Sequence, residues 1–498
     1  MKKKKKGLII ALSITSILSL LAFPTTVGIN AFLLPPVFHV TFLGELGEKI
    51  KKVKETEGKR VILIGGSSIP FGVDSNLLED QLDGYQVIDF GLYASLGSNV
   101  MLDFVKARIN KGDILIFMPE QDKQTLSLYY NGISLWQALD GHFSDRKYLS
   151  SEAKERMTGD LYAFSQSKFR YTFQEKLNLE GTIYRKDSFN DYLDINSELT
   201  PYNTMDELYD PTKKISFSKD ILQEDFVSYV NGFASYARSR GASLYYHFGP
   251  MNPKAVEDRD DIDTYYDYLK EKLAFDLLGN PYDALLNEGY FYDTNYHLNG
   301  AGKRMFTKQL AKDIKLLLED RSPTNIEDVP VPAIPSQEEQ DGDNSDADDF
   351  LYQEKEDGTY QILSLKKEKE NIVVPYRYQG KRITGLDASL FASHPGIKEI
   401  TIQNNIRSLL DYSFTGCSGL EKIHLKNPIP SSIRIGNNLL DGTDADIYVP
   451  HESYSLYVTD YNFSSYASRI KEEEETGPNT FPIPTPKSRY PLSVFISE

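Results

Sequence analysis

The chain has a single cysteine, Cys417, and a single tryptophan among its 498 residues. One cysteine excludes an intrachain disulfide. Exported proteins with small cores usually depend on disulfides. If this protein leaves the cytoplasm, we therefore expect large hydrophobic cores, and the composition favours a bacterial surface, where disulfides are little used.

Positive charge is also scarce. The 55 Lys and Arg residues are outnumbered by 72 Asp and Glu residues, and the formal net charge is −17. Binding to nucleic acid requires a basic face that neutralises phosphates. We therefore predict that nucleic acid is not a partner.

Charge of either sign is missing between Gly7 and Gly44, directly after a block of five cations at residues 2–6. Residues 7–28 are long enough to cross a hydrocarbon layer of ~30 Å as a helix, and the lysines hold that end in the cytoplasm. Residues 1–44 are thus expected to be a single-pass anchor in the cell membrane, with the bulk of the chain extracytoplasmic. A cleaved signal peptide is the alternative, but no small-x-small cleavage site is evident.

Three apolar segments are typical of buried strands: 60–65 (RVILIG), 85–91 (YQVIDFG) and 113–119 (DILIFMP). Helix-compatible stretches lie between them. A fourth helix and strand follow at 224–250, where apolar residues at helical spacing end at Gly241. Because strands that alternate with amphipathic helices form parallel sheets, we predict an α/β fold, a three-layer α/β/α sandwich with a parallel sheet.

This domain is predicted to span residues 45–320. A charged, helix-compatible stalk leads into it at 45–59, and a helix at 301–319 closes it. Residues 123–217 do not fit the alternation of strands and helices. We interpret them as an insertion, and insertions of this kind often form lids or substrate walls.

Residues 321–350 carry prolines followed by acidic residues, a composition typical of a solvated linker. Its acidic end, DGDNSDADD, is rich in carboxylates but lacks the terminal glutamate of a calcium-binding loop, so we predict no metal there. Residues 471–498 are expected to be a flexible tail.

An internal repeat occupies the region between the linker and the tail. Residues 383–402 align with residues 406–425 at a period of 23, and six apolar positions correspond. A single repeat cannot bury its apolar face, so stacking is required. The pattern resembles the BspA-type leucine-rich repeats of bacterial surface proteins, and the resemblance covers residues 351–470. It implies a short, β-rich repeat domain that binds a surface polymer or protein, with Cys417 at a packed position.

The turn Gly65-Gly66-Ser67-Ser68 follows the first predicted strand and precedes a predicted helix. Glycine is needed there if φ is positive or if backbones crowd. Free N–H groups at the start of a helix favour negative charge, so the turn could present a serine and stabilise an oxyanion. A plain loop is the alternative interpretation.

A candidate base lies just before the last predicted helix, where Asp293 and His297 occur in the stretch DTNYHLNGAG. A serine nucleophile needs a base, usually histidine, and the base needs a carboxylate to fix its tautomer. His297 could also be a structural histidine. His247, at the end of the fourth strand, could contact substrate, but a packed strand-end residue is the favoured interpretation.

These motifs together resemble the SGNH (GDSL-like) hydrolase superfamily: LIGGSS its first block, DFGLYASLG its second and DTNYHLNGAG its last. The resemblance covers residues 58–318 and implies an SGNH or flavodoxin-like sandwich. It assigns Ser67 as nucleophile with Ser68 as the alternative, His297 as base and Asp293 as its orienting carboxylate.

The same resemblance assigns the oxyanion hole to Ser67, Gly91 and Gln121. The chain departs from the family pattern in three places: Gly66 replaces an Asp, the Asp–His spacing is one residue longer, and MPEQD replaces the third block. Glu120 in that stretch would repel an oxyanion unless it is protonated.

Membrane-anchored members related to DltD (the D-alanyl-teichoic acid protein) and to polysaccharide O-acetyltransferases also depart from the strict blocks. That similarity implies a serine esterase or acyltransferase that acts on cell-wall or extracellular polysaccharide without a cofactor or metal. The alternative is a non-catalytic surface adhesin or scaffold with a degenerate SGNH-like domain.

Overall fold

The computed structural model describes residues 22–205, 208–326, 344, 346–355, 358–388, 390–392, 394–460 and 462–473. Residues 1–21 of the predicted anchor, linker residues 327–343 and 345, and tail residues 474–498 lie outside this range. The chain divides into two compact units. The first comprises the chain up to Leu199 with Ser216–Gly249 and Glu257–Pro281, and the second comprises Thr200–Ile215, Pro250–Val256 and the chain from Tyr282.

A five-stranded parallel sheet forms the centre of the first unit, with the strand order β2-β1-β3-β4-β5. The strands are β1 (Lys59–Gly65), β2 (Tyr85–Gly91), β3 (Ile114–Met118), β4 (Ser243–His247) and β5 (Leu277–Leu278). Their apolar residues are buried because both faces of the sheet are covered. The predicted α/β fold with a parallel sheet is confirmed, and β5 is an additional strand.

Besides the helical residues 22–28, nine α-helices are described in this unit: α1 (Leu46–Glu55), α2 (Ser68–Gly72), α3 (Ser75–Glu79), α4 (Ser98–Lys106), α5 (Gly132–Ala138), α6 (Ser151–Gly159), α7 (Leu161–Phe173), α8 (Glu224–Ser239) and α9 (Asp261–Lys272). Helices α5, α6 and α7 lie within the predicted insertion. The side chains of Leu46, Ile50 and Val53 on α1 are buried. The charged segment at 45–59 is therefore part of the folded unit and not a free stalk.

Residues 22–40 form, among the described residues, the one apolar helical segment long enough to cross a membrane, a property that a signal sequence shares. Part of the uncharged run also serves the protein core: Ala31 and Phe38, within this segment, and Phe42, just after it, are buried. Asp140 Oδ2 accepts hydrogen bonds from the backbone N–H groups of Val37, at 2.7 Å, and Phe38, at 3.1 Å. The uncharged run thus combines a membrane-compatible part with a part packed in the first unit.

The second unit contains α10 (Gly300–Leu317), α11 (Tyr454–Thr459) and strands β6 to β16. The strands are β6 (Phe350–Glu354), β7 (Tyr360–Leu365), β8 (Asn371–Val373), β9 (Arg377–Tyr378), β10 (Lys381–Leu386), β11 (Glu399–Ile402), β12 (Ser408–Leu409), β13 (Lys422–Leu425), β14 (Arg434–Ile435), β15 (Asp446–Val449) and β16 (Ile470–Glu472). Strands β16-β15-β13-β11-β8 form one parallel sheet.

Each copy of the 23-residue repeat contributes one strand to that parallel sheet. Glu399 of β11 pairs with Lys422 of β13, and Ile400 pairs with Ile423. The inward side chains of successive strands form one continuous hydrophobic core. Cys417 is buried in this core, and burial raises the pKa of its thiol. We call residues 350–473 of this unit the repeat region.

Candidate functional site

The turn after β1 brings three glycines into close packing. Gly65 pairs with Gly91 of β2 on one side and with Met118 of β3 on the other. A methyl group on Gly91 would lie 2.5 Å from Ile69 Cβ and 2.6 Å from the Gly66 carbonyl oxygen. Since real side chains do not approach so closely, crowding rather than positive φ explains the need for glycine here.

Ser67 and Ser68 end this turn and begin the short helix α2. Ser67 is 7% exposed, whereas Ser68 is 1% exposed. The Ser68 hydroxyl has no hydrogen-bond partner among the described residues, and its N–H donates to Glu120 Oε1 at 3.4 Å. Because a nucleophile must be reached by its substrate, the exposure favours Ser67 over Ser68.

Glu120 follows β3 and lies against the turn. Its Oε1 atom is 2.8 Å from the position that a Cβ atom on Gly66 would take. Residue 66 is the place where the SGNH pattern has an Asp side chain. The space next to the turn is therefore occupied by a carboxylate from the segment that follows β3.

The two other residues assigned to the oxyanion hole already have hydrogen-bond partners. The Gly91 N–H donates to Asp89 Oδ1 at 2.6 Å. The amide Nε2 of Gln121 donates to the Tyr246 hydroxyl at 2.6 Å and lies 3.5 Å from the Pro119 carbonyl oxygen. Each group would have to exchange its present partner to donate to an oxyanion.

Asp293 and His297 form a close pair in the second unit. Their Oδ1 and Nδ1 atoms are 2.8 Å apart, and the histidine side chain is almost fully buried. A carboxylate at this distance holds the proton on Nδ1, which leaves Nε2 able to accept a proton. Asp293 reaches the imidazole in spite of the longer spacing.

The loop closes on itself, and this explains why the additional residue is tolerated. Phe291 and Leu298 form an antiparallel bridge, and the Tyr292 N–H donates to the His297 carbonyl at 2.7 Å. Asp293 and His297 therefore lie near the two ends of one tight loop. Burial and the neighbouring Asp293 carboxylate raise the pKa of Tyr292 to about 12, which keeps that hydroxyl neutral.

Two asparagines that we did not single out hold this loop in place. Asn299 Oδ1 caps α10 by accepting from the Gly302 N–H at 3.0 Å, and its Nδ2 donates to the Gly289 carbonyl at 2.8 Å. Asn295 Nδ2 donates to the Asp210 carbonyl at 2.9 Å. The Asn-Gly pair before the apolar pattern of α10 is a helix-start signal that could have identified Asn299.

The segment before the loop packs on the repeat region. A methyl group on Gly289 would lie 2.5 Å from Ile429 Cγ2. Ser431 Oγ donates to the Gly289 carbonyl at 3.3 Å, and the Asn203 N–H donates to the Ser431 carbonyl at 2.8 Å. The repeat region therefore supports the peptide to which Asn299 is also bound.

His247 has a structural hydrogen bond at the end of β4. Its Nδ1 atom lies 2.7 Å from the carbonyl oxygen of Phe248, and the side chain is buried. This agrees with the favoured interpretation of a packed strand-end histidine. Among the described residues, no group of three or more His, Cys, Asp or Glu side chains could hold a metal ion.

A buried charged cluster that the sequence did not reveal lies beside β2. Lys49 Nζ is 3.0 Å from Asp89 Oδ2 and donates to the Leu193 carbonyl at 2.8 Å. The other oxygen of Asp89 holds the Gly91 N–H. Burial raises the pKa of the nearby Glu45 to about 7, against the attraction of Lys49. Lys49 lies at helical spacing with Leu46, Ile50 and Val53, and this placement on an apolar face was the available signal.

The serine turn belongs to the first compact unit, and the Asp293–His297 pair belongs to the second. Each has one feature that acyl-transfer chemistry needs: a serine at a glycine-lined strand end, and a histidine oriented by a carboxylate. No protein-family model matches the chain, and a search of curated proteins finds no match either.

Proposed function

We propose that the protein is a membrane-anchored serine esterase or acyltransferase of the SGNH type that acts on cell-wall or extracellular polysaccharide. The observation that carries the proposal is the 2.8 Å contact between His297 Nδ1 and Asp293 Oδ1. A nearly buried histidine with its Nδ1 on a carboxylate is the base that a serine nucleophile requires. The finer assignments, a three-layer sandwich and a leucine-rich repeat module that binds a surface polymer or protein, are parts of this proposal.

The proposed reaction proceeds through an acyl-enzyme. Ser67 Oγ attacks the ester carbonyl carbon while His297 Nε2 takes the serine proton, and Asp293 stabilises the imidazolium that forms. The imidazolium then protonates the leaving alcohol as the ester bond breaks. Water or an acceptor hydroxyl attacks the acyl-Ser67 ester, gives its proton to His297, and releases the acid or the new ester together with free Ser67.

The membrane topology completes the proposal. Residues 2–6 remain in the cytoplasm, the apolar segment crosses the bilayer, and the rest of the chain lies outside. The apolar segment described from Ala22 supports this placement. In that location the enzyme would meet polymers attached to the cell surface.

A fluorophosphonate probe tests the chemistry, because it modifies only a serine that is activated as a nucleophile. We expect the full chain to be labelled. Labelling should be lost in Ser67→Ala, retained in Ser68→Ala and strongly weakened in His297→Ala. A well-folded chain that is never labelled, or labelling that survives Ser67→Ala and His297→Ala, would overturn the proposal.

A matched control is available in the second unit. His451 Nδ1 lies 2.6 Å from Glu472 Oε2, so this is also a histidine paired with a carboxylate, but it is exposed. His451→Ala should leave the labelling rate unchanged. An equal loss in both histidine variants would show that the effect of His297→Ala is not specific.

The second candidate function is a non-catalytic surface adhesin or scaffold. The observation in its favour is that the Gly91 N–H and the Gln121 amide already have partners. Under this alternative the serine turn and residues 291–298, which we call the histidine loop, have only a structural role. It predicts no labelling at any serine, together with binding of the intact chain to purified cell-wall polysaccharide.

A further inference from the structure

Helix α7 has one face that packs inward. The side chains of Phe164, Ser165 and Lys168 are buried. Lys168 Nζ forms an ion pair with Asp140 at 2.7 Å and donates to the Ala31 carbonyl at 3.1 Å. The helix is thus fixed against Ala31, which lies within the apolar segment 22–40.

The neighbouring face of α7 carries three aromatic residues. Tyr162, Phe169 and Phe173 are spaced by seven and four residues, which places them within about 40° of one another around the helix. Tyr162 is 49% exposed and Phe173 is 63% exposed. The rings of Phe169 and Phe173 lie 5.1 Å apart. Phe169 is half-buried, and the exposed Gln166 lies between it and Tyr162. Exposed apolar side chains grouped on one face in this way are typical of a surface that contacts another apolar phase.

This aromatic face is continuous with the apolar N-terminal segment. The ring of Phe23 lies 5.2 Å from that of Tyr162, and Phe23 itself is 59% exposed. Residues 8–21, which precede it in the chain, carry no charge. The exposed aromatic side chains therefore begin where the apolar chain enters the folded unit.

We propose that Phe23, Tyr162, Phe169 and Phe173 form a membrane-contacting face that lies in the interfacial region of the outer leaflet. This inference rests on the proposed anchor. A bilayer fits better than a soluble partner, because the apolar chain on which the face borders would enter that bilayer. Tyrosine rings favour the headgroup level, and Phe side chains at a membrane surface are buried at the boundary between headgroups and acyl chains.

The proposed face fixes the first unit against the membrane instead of leaving it on a flexible tether. Two contacts with the bilayer, the anchor and α7, restrict the rotation of this unit. This face is distinct from the anchor, since an anchor without contact between α7 and the bilayer would leave Phe173 in water.

Depth-dependent quenching in nanodiscs tests the face. The full chain carrying Phe173→Cys or Tyr162→Cys is labelled with bimane and placed, one copy per disc, in phosphatidylcholine and phosphatidylglycerol. Lipids brominated near the headgroup should reduce the fluorescence at both positions at least ~2-fold, and more than lipids brominated deep in the chain. The wild-type chain gives the blank, because Cys417 is buried.

Tyr412 provides the matched control. It is an exposed tyrosine in the second unit, and Tyr412→Cys should give no bromine quenching. A chain that enters the disc without quenching at residues 162 and 173 would overturn the membrane face and leave the anchor intact. A chain that does not enter the disc would overturn the anchor proposal and the face with it. A dimer that shields residue 173 without quenching would assign the face to a second copy.

Discussion

Glu45 provides a direct test of the buried cluster beside β2. Its side chain is 3% exposed, and burial raises its pKa from 4.5 to about 7, although Lys49 and Lys186 attract the charged form. A carboxyl whose folded pKa exceeds its unfolded pKa binds its proton more tightly in the folded protein. Its contribution to stability is therefore greatest below pH 4.5 and is lost as the pH rises to about 7.

The difference between the folded and unfolded pKa values of Glu45 sets the size of the change in unfolding free energy. At ~1.4 kcal/mol per pKa unit, it corresponds to about 3 kcal/mol of unfolding free energy between pH 4.5 and pH 7. Glu45→Gln removes the titrating group while keeping the shape of the side chain. We expect the variant to match the wild type at about pH 5 and to exceed it by up to ~3 kcal/mol at pH 8.

The single tryptophan makes the measurement specific. Trp136 is buried in the first unit, so its fluorescence during urea denaturation in detergent follows that unit alone. Comparing the variant with the wild type at each pH cancels the other titrating groups. Glu48→Gln is the control, because Glu48 is half-exposed and pairs with Lys186 at the surface. A Glu45→Gln protein that is less stable than the wild type at pH 8, or that keeps the pH dependence of the wild type, would contradict a raised pKa of Glu45.

Three further changes test the positions of individual side chains. Asp293→Asn should lower the rate of fluorophosphonate labelling at least ~100-fold without a change in melting temperature, because no carboxylate then holds the His297 proton on Nδ1 and leaves Nε2 as the base. Gly289→Ala should cost about 1–3 kcal/mol in a thermal melt by clashing with Ile429, and adding Ile429→Ala should recover part of that loss. Asp140→Ala leaves the Lys168 charge buried and unpaired, so thermal denaturation should show a loss of about 3–5 kcal/mol.

Each of these has a clear contrary result. Labelling at the wild-type rate in Asp293→Asn would remove the carboxylate from the mechanism. For Gly289→Ala the matched control is Gly232→Ala, where nothing lies within 4 Å of an added methyl group. Equal stability of the two glycine variants would contradict the close contact with Ile429. A stable Asp140→Ala protein would show that Lys168 finds another partner.

The parallel sheet of the first unit could be predicted because β1 to β4 are apolar runs and helical patterns lie between them. The same reasoning could not find β5, since Leu277–Leu278 is too short to show a pattern. Hydropathy also could not show which part of the uncharged run before Gly44 suits a membrane and which part packs in the protein core. Phe38 and Phe42 are as apolar as a membrane segment, and only tertiary packing distinguishes a protein core from lipid.

The candidate site was predicted in part. The stretch DTNYHLNGAG identified Asp293 and His297, and the structure brings these two side chains together. The partners of Gly91 and Gln121 could not be predicted, because they depend on where Asp89 and Tyr246 point within the fold. The contact of Ile429 with Gly289 could not be predicted either, since these two residues are far apart in the sequence.

The contact between Gly289 and Ile429 also bears on the order in which the chain matures. The histidine loop is translated well before the residues that pack beneath it, and the proposed export delivers the chain in that same order. We therefore expect the loop to acquire its final form only after the chain as far as Ser431 has left the cytoplasm. The base would then be assembled late, outside the cell membrane, where the proposed polysaccharide substrate is found.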